Sequence, residues 1–176
     1  LSAQNLVPNG SFENYSICPQ TVMKLYLATP WFQPRKNSNT SVNQFCSSEY
    51  YNSCTTNPLV NVPSNWLGFQ YARTGNAYAG FSFYEKNNFN YREYAEVGLT
   101  IPLEEAKHYK LEFYASLSCY SRFAIMQLDA CFTNDSLFDS TVFAITSVVP
   151  QIQNNSFISD TMNWVKISGS FIANGG

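Results

Sequence analysis

The sequence predicts an all-β fold, a β-sandwich or jelly roll carrying one long irregular loop. Three observations lead there. Short runs that alternate apolar and polar residues recur along the chain, separated by turn-forming clusters. Aromatic residues reach 16% while charged residues are only 12%, and stiff rings suit a half-buried pleated surface. No stretch keeps a helical period for longer than about three turns, which leaves short strands as the repeated unit.

The elements follow in order. The opening "NLVPNGSFENY" (Asn5 to Tyr15) contains Pro8-Asn9-Gly10, a tight turn by its own chemistry, with Phe12 expected inside. "CPQTVMKLYLATP" (Cys18 to Pro30) suits a short helical turn. Residues 31–63 form a long irregular stretch, and loops of that length in compact domains are usually functional or mobile. Regular alternation then begins: "AYAGFSFY" (Ala77 to Tyr84) and "NYREYAEVGLTIPL" (Asn90 to Leu103) read as strands.

"HYKLEFYASLSCY" (His108 to Tyr120) gives the clearest signal. Leu111, Phe113, Ala115, Leu117 and Cys119 share one face, and Lys110, Glu112, Tyr114, Ser116 and Ser118 the other. That period of two means a half-buried strand. "RFAIMQLDACF" (Arg122 to Phe132) starts apolar on both faces and is expected to be central in a sheet. Residues 133–162 hold a loop and a short strand around Phe143 to Val149, and "NWVKISGSFIA" (Asn163 to Ala173) alternates again. A length of 176 suits a single domain, 1–176, with a sizeable core. Gly175-Gly176 would turn into one further strand, so the domain is expected to be the N-terminal part of a longer protein.

Composition narrows the function. A net charge of -2 leaves no electrostatic footprint for nucleic acid or anionic membrane. No apolar run reaches the length of a membrane span. Ser2-Ala3 before Gln4 resembles the small-residue tail of a cut secretory signal, with a cloning boundary as the alternative. Neutral Asn, Ser and Thr turns agree with an extracellular protein.

Five cysteines is an odd number. Cys18, Cys46 and Cys54 lie in loop-like sequence, where a disulfide would restrict a floppy segment. We expect one bridge, Cys18 with Cys54, and leave Cys46 unassigned. Cys119 and Cys131 sit in strand-like runs and read as small buried hydrophobes. No C-x-x-C spacing occurs and His108 is the only histidine, which speaks against zinc.

The case for catalysis is thin. His108 reads as an exposed residue beside a turn, and no nucleophile elbow or Cys-His pattern supports it as a base. Glu85, Glu93, Glu96, Glu104, Glu105 and Glu112 cluster in sequence, and a glycoside hydrolase needs two carboxylates across a cleft. Solvated faces explain these glutamates more simply. We therefore expect a protein that is not an enzyme.

"NYREYAE" is more informative. Tyr91, Glu93 and Ala95 share one face, and Arg92, Tyr94 and Glu96 the other. Arginine beside aromatic rings suits sugar hydroxyls and flat ring faces, whereas a cross-strand Arg-Glu pair is the structural alternative. Trp31, Phe32, Trp66, Phe69 and Tyr71 flank the long loop, as anchors or as a stacking platform. Tyr91, Arg92, Tyr94 and Trp66 are the candidate ligand-binding residues.

Assembled in order, these segments resemble a family of Bacteroidetes surface domains. The resemblance runs through "NLVPNGSFE", Cys18-Pro19 to Pro30-Trp31, Val62-Pro63 with Asn65, Gly68 and Gln70, and Gly75 to Gly80. It continues through Asn90 to Tyr94, Leu99 to Leu103, Tyr109 to Leu117, Pro150 to Asn154, and Trp164 to Gly176. It implies a galactose-binding-like jelly roll, secreted to the outer-membrane surface or its periplasmic face and often N-terminal to an OmpA-like domain. The implied role is non-catalytic: carbohydrate binding, or alternatively a structural subunit docking onto an outer-membrane protein complex, peptidoglycan-linked through the downstream domain. It also implies one structural calcium, with Glu13 as carboxylate ligand; a turn cap or a lysine pair is the other reading of Glu13. Asp135-Ser136, Asp139-Ser140 and Asp160-Thr161 are similar to the Bacteroidetes O-glycosylation acceptor, which makes Ser136, Ser140 and Thr161 candidate acceptors of a glycoprotein. Asp-Ser and Asp-Thr turns are the plain alternative.

Overall fold

A computed structural model describes residues 4–34, 47–87, 90–138 and 143–175. The chain is nearly all β, with small antiparallel ladders and a single 3-10 turn, Leu25–Leu27, among the described residues. In chain order the strands are β1 Glu49–Asn52, β2 Ser64–Asn65, β3 Gly68–Phe69, β4 Ala77–Gly80, β5 His108–Ala115 and β6 Val165–Ile172. No helix of the described residues is long and apolar enough to cross a membrane.

The chain forms two compact units. The first comprises Leu1–Trp66, Tyr71–Ile101 and Ser136–Ala144. At its centre β1 pairs antiparallel with β4, Glu49 opposite Gly80 and Asn52 opposite Ala77. All four residues of β1 are buried. Leu27, Ala28, Tyr50 and Ala77 make the core, with Phe12, Tyr26 and Trp31 packed against it. The expected helical turn is present as Leu25–Leu27, whose Leu25 N–H donates to the Ser48 carbonyl. The Cys18–Cys54 disulfide is also present, tying the chain before that turn to the end of β1. Cys46 lies outside the described residues.

The second unit comprises Leu67–Gln70, Pro102–Asp135 and Ile145–Gly176. Here β5 and β6 pair antiparallel along their whole length, Leu111 opposite Gly169 and Phe113 opposite Ile167. The alternation read from sequence holds in both strands: Tyr109, Leu111 and Phe113 turn inward, as do Val165, Ile167 and Gly169, while Lys110, Glu112, Lys166 and Ser168 are exposed. Gly169 makes room for Ile152, because a Cβ there would stand 2.9 Å from Ile152 Cδ1. Phe132 stacks on Phe171 at 4.6 Å.

Several expected elements take another form. Residues 31–63 are not irregular throughout: β1 lies within them, because Glu49–Asn52 finds a buried partner in β4. Asn90–Leu103 is no continuous strand; Tyr91 bridges Phe143 and Glu96 bridges Phe32, one residue pair each. Side chains take the backbone acceptors that a ladder would use, the Arg92 guanidinium binding the Tyr91 carbonyl and the Ser48 hydroxyl the Tyr94 carbonyl. The strand expected around Phe143 to Val149 is reduced to that bridge at Phe143.

Arg122–Phe132 is neither a strand nor central. Arg122, Phe123, Ala124, Met126 and Gln127 are exposed, and Gln127 sits at φ 68°, a left-handed backbone that interrupts an extended run. The inward phase of β5 reaches Leu117, but Cys119 is exposed rather than buried. The chain turns there, with Ser121 N–H bonded to the Ser118 carbonyl, and Cys119 Sγ accepts the Phe69 N–H at 3.3 Å.

Candidate functional site

The first unit carries an open cleft of about 270 Å3 lined by Glu13, Tyr15, Asn52, Ser53, Cys54 and Asn76. The turn after β1 and the turn before β4 form two of its sides. Cys54 N–H donates to Asn52 Oδ1 at 2.8 Å, and Ser53 Oγ lies 3.2 Å from Asn76 Oδ1. Glu13 forms the third side. Its Oε1 accepts the backbone N–H groups of Asn76 at 2.8 Å and Ala77 at 3.0 Å, while Oε2 lies 3.4 Å from Asn76 Nδ2. The Tyr15 ring stands 6.3 Å from that of Tyr50 and is 40% exposed.

The cleft thus offers one partly open aromatic face beside a carboxylate, amides and a hydroxyl. Those groups suit a neutral ligand rich in hydroxyls. Beneath it, Tyr50 donates its hydroxyl to the Phe12 carbonyl and accepts Asn52 Nδ2 at 2.7 Å. Burial pushes the Tyr50 phenol up to about 12, so it stays protonated as a fixed support for Asn52.

Glu13 is where a calcium ion was expected. As placed, its Oε1 is taken by two backbone N–H groups, while Oε2 has only the long contact to the Asn76 amide nitrogen. These bonds let Glu13 close the turn before β4. No group of three or more His, Cys, Asp or Glu residues suited to a metal occurs among the described residues.

A second polar cluster lies on the same strand. Glu49 is 2% exposed and Glu93 is 4% exposed, so Glu93 is no solvated surface carboxylate. Met23 N–H donates to Glu49 Oε2 at 2.5 Å, Tyr91 Oη to Glu93 Oε1 at 2.6 Å, and Ser82 N–H to Glu93 Oε2 at 2.7 Å. Burial, helped by the negative charge of Glu93, pushes the Glu49 carboxyl up to about 7, against the Met23 N–H and the Trp66 side chain. The Tyr51 phenol, buried beside them, is held above its ordinary value by burial and by the charges of Glu49, Tyr78 and Glu93, against the Trp66 side chain. Two acids this deep are poorly placed to meet a substrate.

The candidate ligand residues are not gathered on an open face. Tyr91 is 8% exposed with its hydroxyl held by Glu93, and Arg92 Nη1 is held by the Phe83 and Tyr91 carbonyls at 2.7 Å. Tyr94 is half-buried. Trp66 is 43% exposed, is not among the residues lining the cleft, and bonds the Glu49 carboxyl. Trp31 is an anchor, its indole N–H donating to the Asn9 carbonyl and its ring 5.1 Å from Phe12.

His108 is exposed at the start of β5. Ser136 is exposed, and its hydroxyl bonds the Glu96 carboxylate, whose burial raises its proton affinity. Around Thr161, Asp160 Oδ1 accepts the Met162 and Asn163 N–H groups, an Asx turn. Ser140 lies outside the described residues.

Sequence reasoning passed over Tyr15, Asn52, Ser53, Asn76 and Glu49. Only Tyr15 and Glu49 carried a usable signal, as a ring close to Glu13 and as a lone acid before two tyrosines. No protein-family model, curated protein or solved structure matches the chain.

Proposed function

We propose that the chain is a non-catalytic binding module that takes neutral carbohydrate in the Glu13–Tyr15–Asn76 cleft. The observation that carries this reading is the cleft's chemistry, a partly exposed ring flanked by amide, hydroxyl and carboxylate groups. A sugar's apolar face stacks on Tyr15, and its hydroxyls bond Asn76, Ser53 and the outer Glu13 oxygen. The Glu13 charge disfavours uronic and sialic acids. The disulfide is compatible with an extracytoplasmic location. We read the small ladders as parts of a galactose-binding-like jelly roll at an outer-membrane surface, following the resemblance of the sequence.

A glycan array probed with the whole chain is expected to give binding to neutral glycans. Tyr15→Ala and Asn76→Ala should each weaken it by about 10-fold, the equivalent of a lost stacking or hydrogen-bonding contact. Arg92→Ala should leave it intact if the protein remains folded. Loss through Arg92 with no effect at Tyr15 would move the site to the "NYREY" segment.

A second reading is favoured by the second unit, where Tyr120, Phe123, Val149, Phe157, Met162 and Ile172 are more than half exposed. Apolar surface of that kind suits a structural subunit docking onto a larger assembly. A blank array together with stable partners co-purified from native membranes would replace carbohydrate binding with that role.

A further inference from the structure

Two Asn-Gly pairs occur in the sequence, Asn9-Gly10 and Asn174-Gly175. Such a pair carries chemistry of its own. Glycine has no Cβ to hold its main-chain nitrogen away from the preceding side chain, so that nitrogen can reach the asparagine Cγ. Attack also requires the side-chain amide to turn over its own main chain, and whether it can turn depends on what holds it.

The fold treats the two amides in opposite ways. Asn9 is fixed through both polar atoms: Nδ2 donates to the Asn14 and Thr29 carbonyls at 2.7 Å, and Oδ1 accepts the Asn14 N–H at 2.9 Å. Its carbonyl accepts the Trp31 indole N–H at 2.8 Å, so the main chain of this turn is held too. Asn174 follows β6 and is exposed. The last main-chain ties before it are at Ala173, which donates to the Lys107 carbonyl at 3.0 Å and accepts the Ala106 N–H at 2.9 Å. Beyond them, no hydrogen bond holds the Asn174 side chain or the Gly175 N–H among the described residues. Gly175 sits at φ 88°, a left-handed backbone that glycine adopts without strain.

We propose that Asn174-Gly175 is a self-modification site, at which the folded chain deamidates through a succinimide while Asn9-Gly10 is protected. The Gly175 nitrogen gives its proton to hydroxide and bonds to Asn174 Cγ. The bond from Cγ to Nδ2 breaks, and the amide nitrogen leaves as ammonia with a proton taken from water. Water then opens the ring at either carbonyl and leaves aspartate or isoaspartate. The sum is water consumed and ammonia released, with nothing oxidised or reduced.

The product places a new negative charge beside Glu105, whose Cβ lies 3.6 Å from where a side chain on Gly175 would begin. Isoaspartate also adds a carbon to the main chain directly after the tied Ala173. Deamidation therefore makes this end of β6 more acidic and alters the path of the chain that leaves it. The inference rests on these two turns and is independent of carbohydrate binding.

The test is peptide mapping by mass spectrometry of the full chain, kept folded in mildly alkaline buffer, with the amide-to-acid mass gain followed separately at Asn174 and Asn9. Asn174 is expected to convert on the order of 100-fold faster, the rate equivalent of the side-chain hydrogen bonds that Asn9 must break. In denaturant the two sites should convert at similar rates, because each then has only its glycine to set the pace. Asn174→Gln, whose longer side chain must close a larger ring, should remove the gain at that position and leave Asn9 unchanged. Equal rates at the two positions of the folded chain would overturn the proposal. So would faster conversion at Asn9, or a folded Asn174 that stays intact while the denatured chain converts there.

Discussion

Asn9 shows how much one amide side chain organises. Its backbone sits at φ 48°, a left-handed conformation that asparagine tolerates better than most residues. Its Nδ2 donates to the Asn14 and Thr29 carbonyls, both at 2.7 Å, and its Oδ1 accepts the Asn14 N–H at 2.9 Å. Its own carbonyl receives the Trp31 indole. Glu13, four residues on, ties the same segment to Asn76 and Ala77. Glu13→Ala would leave two backbone N–H groups without their acceptor and should destabilise by about 1–2 kcal/mol in denaturant unfolding. The loss is expected to be equal with added calcium and with chelator. A calcium-dependent gain confined to the wild type would instead make Glu13 a metal ligand.

At the scale of elements, the Cys18–Cys54 bridge closes a loop of sequence separation 36 in the first unit. By the chain-entropy account such a loop contributes about 3–4 kcal/mol, more than any single hydrogen bond of the cleft. Replacing both cysteines by serine should lower the denaturant midpoint accordingly and weaken the cleft, since Cys54 lines it. An unchanged midpoint would mean that β1 and the 3-10 turn hold together without the covalent tie. The elements legible in the sequence were those whose partners follow the same period. Strands β5 and β6 alternate along their paired length, so pattern and ladder coincide. Strand β1 was hidden because all four residues are buried, two of them polar, and such a run has no period of two to find. The "NYREY" segment misled for the opposite reason. It alternates well, yet its carbonyls bind Arg92 and Ser48 and its inward face carries Glu93. The cleft was the least legible feature, because Asn, Ser and Tyr in turns look alike whether they line a site or cap a loop.

For the whole molecule, charge and burial pull in opposite directions as pH changes. The sequence carries a formal net charge of -2 at pH 7 and a pI near 5.3, with carboxylates counted as ordinary. A folded chain that keeps a proton on Glu49 near neutrality is less negative than that formal value, so its neutral point moves upward. Weak net charge leaves little repulsion between molecules. The second unit presents residues such as Val149, at 77% exposure, and Met162, at 80%, through which neutral molecules can associate. Solubility should therefore pass through a minimum at pH 5–6, within the range where a protonated Glu49 leaves the first unit most resistant to heat. Light scattering and thermal midpoint measured on the same samples check this, with aggregation rising toward that minimum while the unfolding temperature rises too. In Glu49→Gln the unfolding temperature should become insensitive to pH while the scattering minimum persists. If both curves flatten together, aggregation follows from loosening of the first unit and not from lost net charge.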